Sequence, residues 1–492
     1  MTPGLRRGAW PPALLAGLTI VVAGAAFVSL LAAGKIVDSI GYVLLAGVAT
    51  AAAVILVSRP RLLLGAYVSL FVLVEGTTDA AFLPSAGRIY DPVLSKATPL
   101  ELLLALLVVA VVIQALQERE FELPGPLTPV LLLALAALVF GAVTGWFGGT
   151  GISGLIEAAR RFVPLILLPF LVVNIVRTPQ DVRRALALVA VLAVVKGLLG
   201  LAGVALGRGP VLDSGGTVLT YYEPLANWLT ILYIFGVASA VLARVRVPWY
   251  AWIGGFICLA SLVLSFRRSF WLAAAIGIAF ILLIGIGRAG RLVVIPAIVA
   301  IGLGIYVSFS IGGVELSQPK NPVLARVLSL NPTQLAANRE DRYRLDERRN
   351  VTDELKAHPI TGLGLGVPWA ATHPLSQEFP QGRLYVHFTV LWWWLNLGIL
   401  GLAAYAALMG TLLVLTFRVW KTRGPPFVRI PCLALFGGII GLMFAETTAS
   451  FTGVDARFTL GMGCVVGLVA ALHRTAGPWL PGRDAPAPAA GP

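Results

Sequence analysis

The feature that most constrains this chain is a series of apolar runs, each long enough to cross a lipid bilayer. A membrane-spanning helix needs about 20 mostly apolar residues, and the sequence offers about 14 such stretches. Charged residues make up 12% of the chain, whereas soluble domains carry about a quarter. The pattern therefore predicts an all-α polytopic membrane protein with about 12–14 transmembrane helices. The predicted spans are 11–33, 40–58, 61–76, 98–117, 128–146, 154–176, 182–206, 217–243, 248–265, 269–287, 291–312, 386–417, 427–448 and 454–473.

Positive charge is distributed unevenly among the connections between these spans. The formal net charge is +14, which by itself could suggest a nucleic-acid partner. With a cytoplasmic N-terminus and alternating spans, however, nearly every inward connection carries arginine or lysine, as the positive-inside rule requires. The charge is thus a topology signal and argues against nucleic acid. It predicts a plasma-membrane protein with both termini cytoplasmic and one large loop outside.

Four regions follow from this topology. They are an N-terminal multi-spanning region (1–312), an extracytoplasmic loop (313–385), C-terminal membrane helices (386–476) and a tail (477–492) rich in Pro, Ala and Gly, which is predicted to be disordered. The loop is the one long polar segment, so we expect the reactive side chains there. The span at 386–417 is long enough to include an interfacial turn. The three cysteines lie in apolar spans and form no CxxC pair, which argues against a zinc site or a disulfide framework.

Some charged residues break the topology pattern because they lie at the outward ends of spans. Arg160 and Arg161 follow Glu157 near the start of one span, and Arg267 and Arg268 occupy a short outward turn. Ionisable groups within spans cost about 2.5–3.5 kcal/mol each on insertion scales, so they usually face a cavity and serve a function. We favour function for Arg160 and Arg161 over an internal ion pair with Glu157 or snorkelling to the headgroups.

Two further positions have weaker patterns. Lys196 lies near mid-membrane, where pairing with an acid on a neighbouring helix and a ligand role are equally supported. Tyr221, Tyr222 and Glu223 open another span that starts outside, where tyrosines most often form an interfacial belt. We hold these three residues only as possible members of a site.

The loop contains a charged stretch at 338–357 that predicts a polar helix, with Asn338 as its N-cap and Asp341 in its first turn. Arg344 and Arg348 lie four residues apart and share one face of this helix. Because acids are interleaved with these arginines, spacing alone favours a solvated helix with surface ion pairs.

Glycines 362, 364 and 366 follow this helix and predict tight turns. Such a loop can present N–H groups to an anion, but this one lacks the Lys-Ser/Thr ending of a P-loop, so it is a weak phosphate signature. His387 stands at the outer mouth of the next span. A structural role and a catalytic role are equally supported for this histidine.

Three segments together resemble the O-antigen ligase and polymerase superfamily, whose members transfer lipid-linked glycans. In LSFRRSFWL (264–272), Arg268 takes the arginine position of the family's Ser-Arg-Gly-Ala stretch and Arg267 replaces its serine. Arg344, followed fourteen residues later by HPITGLG (358–364), is similar to the family's arginine and glycine loop.

The third segment begins at His387 and continues through Leu391, Gly398 and Gly401, similar to the family's His-Asn-x-x-Leu…Glu-x-Gly-x-x-Gly pattern. The chain departs from that pattern in having Phe388 in place of the asparagine and Asn396 in place of the acid. The resemblance extends over about 250–475 and only generically over the earlier spans.

The resemblance implies a GT-C-like membrane glycosyltransferase that works on the outer face without a cofactor or a metal. It implies transfer of a glycan from a polyprenyl-diphosphate carrier to a hydroxyl of a glycan or lipid acceptor. His387 would remove the acceptor proton, since an imidazole titrates near neutrality. Arginine suits the diphosphate because its bidentate donors stay charged. The candidates for that role are Arg161, Arg268 and Arg344, with Arg160 and Arg267 as further candidates.

Other functions stay open. A polysaccharide polymerase would extend the glycan on its lipid carrier by the same donor chemistry. A lipid-glycan transporter or flippase would predict charges spread to mid-depth and broken helices at corresponding places in two halves. A non-catalytic scaffold of envelope assembly would tolerate replacement of His387 or Arg268. The crowding of the unusual charges at outward ends favours the enzyme.

Overall fold

The computed structural model describes residues 57–74, 89–90, 97–212, 217–221, 223–286, 339–376 and 382–480. By its internal contacts the chain divides into two units, one of 1–70 with 87–121 and the other of 71–86 with 122–492. The predictions that lie outside the described residues concern spans 11–33 and 291–312, most of span 40–58, Asn338, Tyr222 and most of the tail.

Twelve α-helices make up nearly all the regular structure of the described residues. They are α1 (Pro60–Leu73), α2 (Pro99–Glu118), α3 (Thr128–Phe147), α4 (Ile152–Ile175), α5 (Pro179–Ala205), α6 (Pro224–Leu242), α7 (Trp249–Val263), α8 (Arg268–Gly285), α9 (Arg339–Ala357), α10 (Thr389–Lys421), α11 (Pro426–Ala445) and α12 (Ala456–Ala476). Short 3₁₀ helices occupy Gly125–Leu127, Gly382–Leu384 and Gly477–Trp479. Two short antiparallel strands follow α5, with Val211 opposite Val218 and Leu212 opposite Thr217.

Eight of the described helices are long and apolar enough to cross a membrane: α2, α3, α5, α6, α8, α10, α11 and α12. Helices α1 and α7 are shorter and apolar. The helical membrane class is therefore confirmed for the described residues, and the total of 12–14 spans stays a prediction. Proline begins five of the helices, where its fixed φ suits the first turn and its missing N–H leaves no hydrogen bond unmade.

Small residues bring the helices of the second unit into close contact. Helix α12 packs against α4, and α8 packs against α11. A Cβ added to Gly277 would lie 2.6 Å from the Gly437 carbonyl oxygen, and one added to Gly463 would lie 2.6 Å from the Pro164 carbonyl oxygen. Within a bilayer, helix association relies on such small-residue contacts, because burying apolar surface provides little driving force there.

Helix α10 consists of two helical segments that meet at Gly398, whose backbone has φ 64° and ψ −163°. The loop after α9 inserts at this break: the Ile399 N–H donates to the Ile360 carbonyl at 2.9 Å, and the Leu363 N–H donates to the Leu395 carbonyl at 2.7 Å. The Leu365 N–H donates to the Gly141 carbonyl of α3 at 2.7 Å. The amides of residues 362–365 therefore already have carbonyl partners, so the loop is a packing element and this observation argues against the weak phosphate signature.

Replacing Gly398 with alanine is expected to destabilise the protein by about 2–4 kcal/mol. A left-handed backbone costs an L-residue about 1–2 kcal/mol, and overpacking costs about 1–3 kcal/mol. The new Cβ would lie 2.5 Å from the Ile360 carbonyl oxygen. Thermal unfolding in lipid nanodiscs measures the effect. Gly410→Ala is the matched control on the same helix, where a Cβ meets nothing within 4 Å; an equal change in both variants would contradict the prediction.

Candidate active site

Helix α9 has one fully buried face. Tyr343, Glu347, Asn350, Val351 and Leu355 are each at most 3% exposed. Their spacing of three and four residues places them along one side of a helix. The prediction of a solvated helix with surface ion pairs is therefore wrong for this side of α9, because the helix is amphipathic and packs its less polar stripe against α10.

The buried stripe of α9 brings a carboxylate to His387. The Nδ1 atom of His387 lies 3.0 Å from Oε2 and 3.1 Å from Oε1 of Glu347, and the His387 backbone N–H donates to Oε2 at 2.8 Å. Glu347 is fully buried and His387 is 5% exposed. A carboxylate accepts hydrogen bonds, so Nδ1 carries the proton. The nitrogen left to accept a proton is then Nε2.

Two tyrosine rings enclose the imidazole. The ring of Tyr385 lies edge-on to His387 at a centroid distance of 4.9 Å, and the ring of Tyr343 does so at 5.7 Å. The Tyr385 hydroxyl donates to the Ser450 carbonyl at 3.3 Å. Burial raises the pKa of both phenols, so they remain neutral. The rings thus fix the plane of His387 by packing.

The turn that connects α11 and α12 holds the chain on either side of His387. The Ser450 hydroxyl donates to the Val386 carbonyl, and the Thr389 N–H donates to the Glu446 carbonyl at 3.1 Å. The buried Glu446 carboxylate in turn accepts from the Thr452 N–H at 2.8 Å and from the Tyr405 hydroxyl at 2.6 Å. His387 therefore lies on a short segment whose position is fixed from both helices.

Two of the predicted arginines share one carboxylate at the beginning of α9. Arg268 Nη2 lies 2.7 Å from Asp341 Oδ2, and Arg344 Nη1 lies 3.4 Å from Asp341 Oδ1. The Arg268 side chain is only 11% exposed. Asp341 precedes Glu347 by six residues, about 9 Å along a helix axis. Helix α9 thus holds both arginines through Asp341 and His387 through Glu347.

The turn before α8 presents Arg267 and Arg268. Phe266 has a φ of 51°, a left-handed backbone that is unusual for an aromatic residue, and Arg267 is the N-cap of α8. Burial raises the pKa of the Asp455 carboxyl, whereas the positive charges of Arg267 and Arg161 lower it. Arg267 and Arg161 therefore act on one carboxylate, that of Asp455.

The remaining arginines of the predicted set lie on α4. Arg161 makes the ion pair with Glu157 that the sequence offered as an alternative, at 3.3 Å and with both side chains more than half exposed. Arg160 is half-buried on the same turn. The structure thus brings Arg268 and Arg344 together at Asp341, and Arg161 and Arg267 near Asp455.

Lys196 has an acidic partner, as one of the two interpretations of this residue predicts. Its Nζ atom lies 3.6 Å from Glu223 Oε2, and the Arg457 guanidinium contacts the same carboxylate. Tyr221, a possible site member, is buried, and its hydroxyl accepts from Ser261 Oγ at 2.6 Å. Lys196, Glu223 and Tyr221 therefore connect helices inside the protein.

Glu347 is the functional candidate that the sequence analysis missed. It looks like one more acid in a charged stretch, and forty residues separate it from His387. A signal was present, because Tyr343, Glu347, Val351 and Leu355 form a stripe at helical spacing. A charged residue in the middle of such a stripe is buried and needs a partner.

Within the described ranges, no group of three or more His, Cys, Asp or Glu side chains could hold a metal ion. No curated protein matches the chain significantly. The family model described as O-antigen ligase (Wzy_C) matches residues 253–406, the segment that supplies Arg267, Arg268, Arg344, Glu347 and His387. Residues 253–406 are therefore similar to the O-antigen ligase family, which confirms the resemblance to the O-antigen ligase and polymerase superfamily for this part of the chain.

Proposed function

We propose that this protein transfers a glycan from a polyprenyl-diphosphate carrier to an acceptor hydroxyl on the outer face of the membrane, in the manner of an O-antigen ligase. The reaction breaks the bond between the anomeric carbon and the diphosphate, which leaves with the electron pair. It forms a bond from the same carbon to the acceptor oxygen. The observation that carries the proposal is that two acids of α9 hold the candidate groups. Glu347 contacts His387, and Asp341 contacts both Arg268 and Arg344.

His387 is the proposed general base. With Nδ1–H directed at Glu347, Nε2 takes the proton of the acceptor hydroxyl as its oxygen attacks. The buried Glu347 carboxylate orients the ring and stabilises the imidazolium that forms. This arrangement supports a catalytic role for His387 over a merely structural one, because a histidine at a helix start needs no fully buried carboxylate partner.

Arg268 and Arg344 are the proposed ligands of the diphosphate, with Arg267, Arg161 and Arg160 as further contributors. Guanidinium groups bind phosphate oxygens bidentately and balance the charge that grows as the glycosidic bond breaks. Asp341 orients the first two side chains, and the start of α8 adds the positive end of a helix dipole beside Arg268. This chemistry requires no metal ion, so we propose metal-independent catalysis within a GT-C-like fold.

The proposal is tested with purified protein in nanodiscs, a polyprenyl-diphosphate oligosaccharide and EDTA. The expected result is release of the lipid diphosphate together with a glycosylated acceptor. A product of one added glycan indicates a ligase, and a ladder of lengths on the lipid indicates a polymerase. Movement of intact donor across the bilayer, with no release, would overturn the enzyme proposal in favour of a flippase.

Glu347→Gln is expected to lower kcat by roughly 10²-fold or more, because an amide holds the imidazole without stabilising its charged form. The KM for the donor should stay within about twofold, a split that a general loss of structure would not give. Glu354→Gln is the matched control: the same chemical change on the same helix, where the carboxylate accepts from the Ala370 N–H at 3.0 Å rather than from His387. Equal kcat values for the two variants would exclude a positioning role for Glu347.

A further inference from the structure

A cleft of about 350 Å³ lies on the side of α9 that faces away from His387. Its volume is within the range of small-molecule sites, about 300–1,000 Å³. It is lined by Leu345, Arg348, Arg349, Thr352, Asp353, Lys356 and His373. The catalytic proposal uses none of these residues.

The second wall of the cleft, around His373, is fixed by a buried residue of α9. Asn350 is fully buried, and its Oδ1 accepts from the His373 N–H at 2.6 Å and from the Thr372 hydroxyl at 3.0 Å. Its Nδ2 donates to the His373 carbonyl at 3.2 Å. The Ala370 N–H is bound by Glu354. These bonds hold the segment 370–373 against the helix, so the cleft is a built feature of the loop.

The lining of the cleft has an excess of positive charge. Three cationic side chains face one carboxylate, Asp353, which is already engaged by Lys356 at 2.7 Å and His373 at 2.8 Å. Hydrogen bonds from Lys356 and His373 lower the pKa of Asp353, which keeps it ionised. In the part of the chain that the structure describes, neither Arg348 nor Arg349 pairs with a carboxylate.

One lining residue, Arg348, also contacts the segment that contains His387. Its guanidinium lies 5.4 Å from the centroid of the Phe388 ring, and Phe388 follows His387 in the chain. Arg348 also follows Glu347, the partner of His387. The lining residues lie on the side of α9 opposite Glu347, and an α-helix with its side chains is about 10 Å in diameter. A ligand of this cleft would therefore be a sugar other than the reacting unit.

We propose that this cleft is a subsite for an acidic sugar, one that carries a carboxylate or a phosphate group, in the glycan that reaches His387. The inference rests on the proposed function for the identity of the ligand as a glycan. Arg348 and Arg349 bind the oxyanion, since the planar guanidinium fork can donate to two of its oxygens at once. Leu345 and the stem of Lys356 give the sugar ring an apolar surface.

The test measures binding to the full-length protein in phosphatidylcholine nanodiscs. The probes are a labelled hyaluronan tetrasaccharide, which carries carboxylates, and N-acetylchitotetraose, which is neutral and of equal length. We expect the acidic probe to bind at least about tenfold more tightly and Arg349→Gln to remove most of that preference. Arg342→Gln is the control: an exposed arginine seven residues earlier on α9 that does not line the cleft. It should leave the preference unchanged.

Three outcomes would overturn the subsite. They are equal affinity for the two probes, the same loss in Arg342→Gln as in Arg349→Gln, and displacement of the acidic probe by phosphatidylglycerol nanodiscs, which would assign the cleft to a lipid phosphate. The His387→Ala variant separates this proposal from the catalytic one, since it should bind both probes as the wild type does. Selective binding by a wild-type protein that transfers no glycan would refute the catalytic proposal alone.

Discussion

Replacing His387 with alanine is expected to lower kcat for glycan transfer by about 10²–10⁴-fold, the usual contribution of a general base. Such a loss corresponds to about 3–5 kcal/mol of transition-state stabilisation. The reason is geometric: Glu347 holds Nδ1 at 3.0 Å, so Nε2 is the atom that remains to take the acceptor proton. Because the donor diphosphate binds elsewhere in the proposed mechanism, donor affinity should change little.

The measurement is single-turnover release of the lipid diphosphate with saturating donor and acceptor. His358→Ala is the matched control, because His358 is exposed at the end of α9 and should tolerate the change. Thermal unfolding of both variants in nanodiscs checks their folding. A His387→Ala variant that is folded, binds donor and keeps the wild-type rate would refute the assignment of the base.

Replacing Arg268 with alanine is expected to lower kcat/KM by about 10²–10³-fold, the cost of removing one preorganised charge that stabilises a transition state. Its guanidinium is largely buried, where a positive charge acts more strongly on a phosphate than it would in water. Arg268→Lys should recover only part of the activity, because an ammonium group lacks the bidentate geometry. The measurement is kcat/KM for the donor.

A second variant separates anion binding from structural support. Asp341→Asn removes the ion pair at 2.7 Å but keeps the Arg268 cation, so its kcat/KM should fall by less than about tenfold. If Asp341→Asn is as damaging as Arg268→Ala, the ion pair between α8 and α9 is what matters, and the role of Arg268 as a diphosphate ligand is wrong.

Many of the helix boundaries could be predicted from the sequence alone. The predicted span 128–146 matches the helix Thr128–Phe147 to within one residue, and 427–448 matches Pro426–Ala445 to within three residues at either end. These predictions succeed because a bilayer fixes the length of an apolar run and because proline marks the first turn. The span 386–417, which is long enough to include a turn, is broken at Gly398, where two helical segments meet.

The candidate site was predictable only in part. His387 and Arg268 stood out because they are polar residues at the ends of apolar runs, and a resemblance to family motifs supported them. Glu347 did not stand out, because in the sequence it is one of several acidic residues in the same charged stretch. The partners of Arg268 and Lys196 were equally invisible, since Asp341 and Glu223 belong to other segments of the chain.

The helical membrane class and the likeness of residues 253–406 to the O-antigen ligase family could be read from the amino-acid sequence, because hydrophobic length and short motifs are local properties of the chain. Which charged side chains meet depends on the packing of the helices. Glu347 and His387, or Arg268 and Asp341, lie far apart in sequence, and their pairing depends on how α9 packs against α8 and α10. Burial makes these pairs necessary, because a charge inside a protein must have a partner, whereas the same charge on the surface need not.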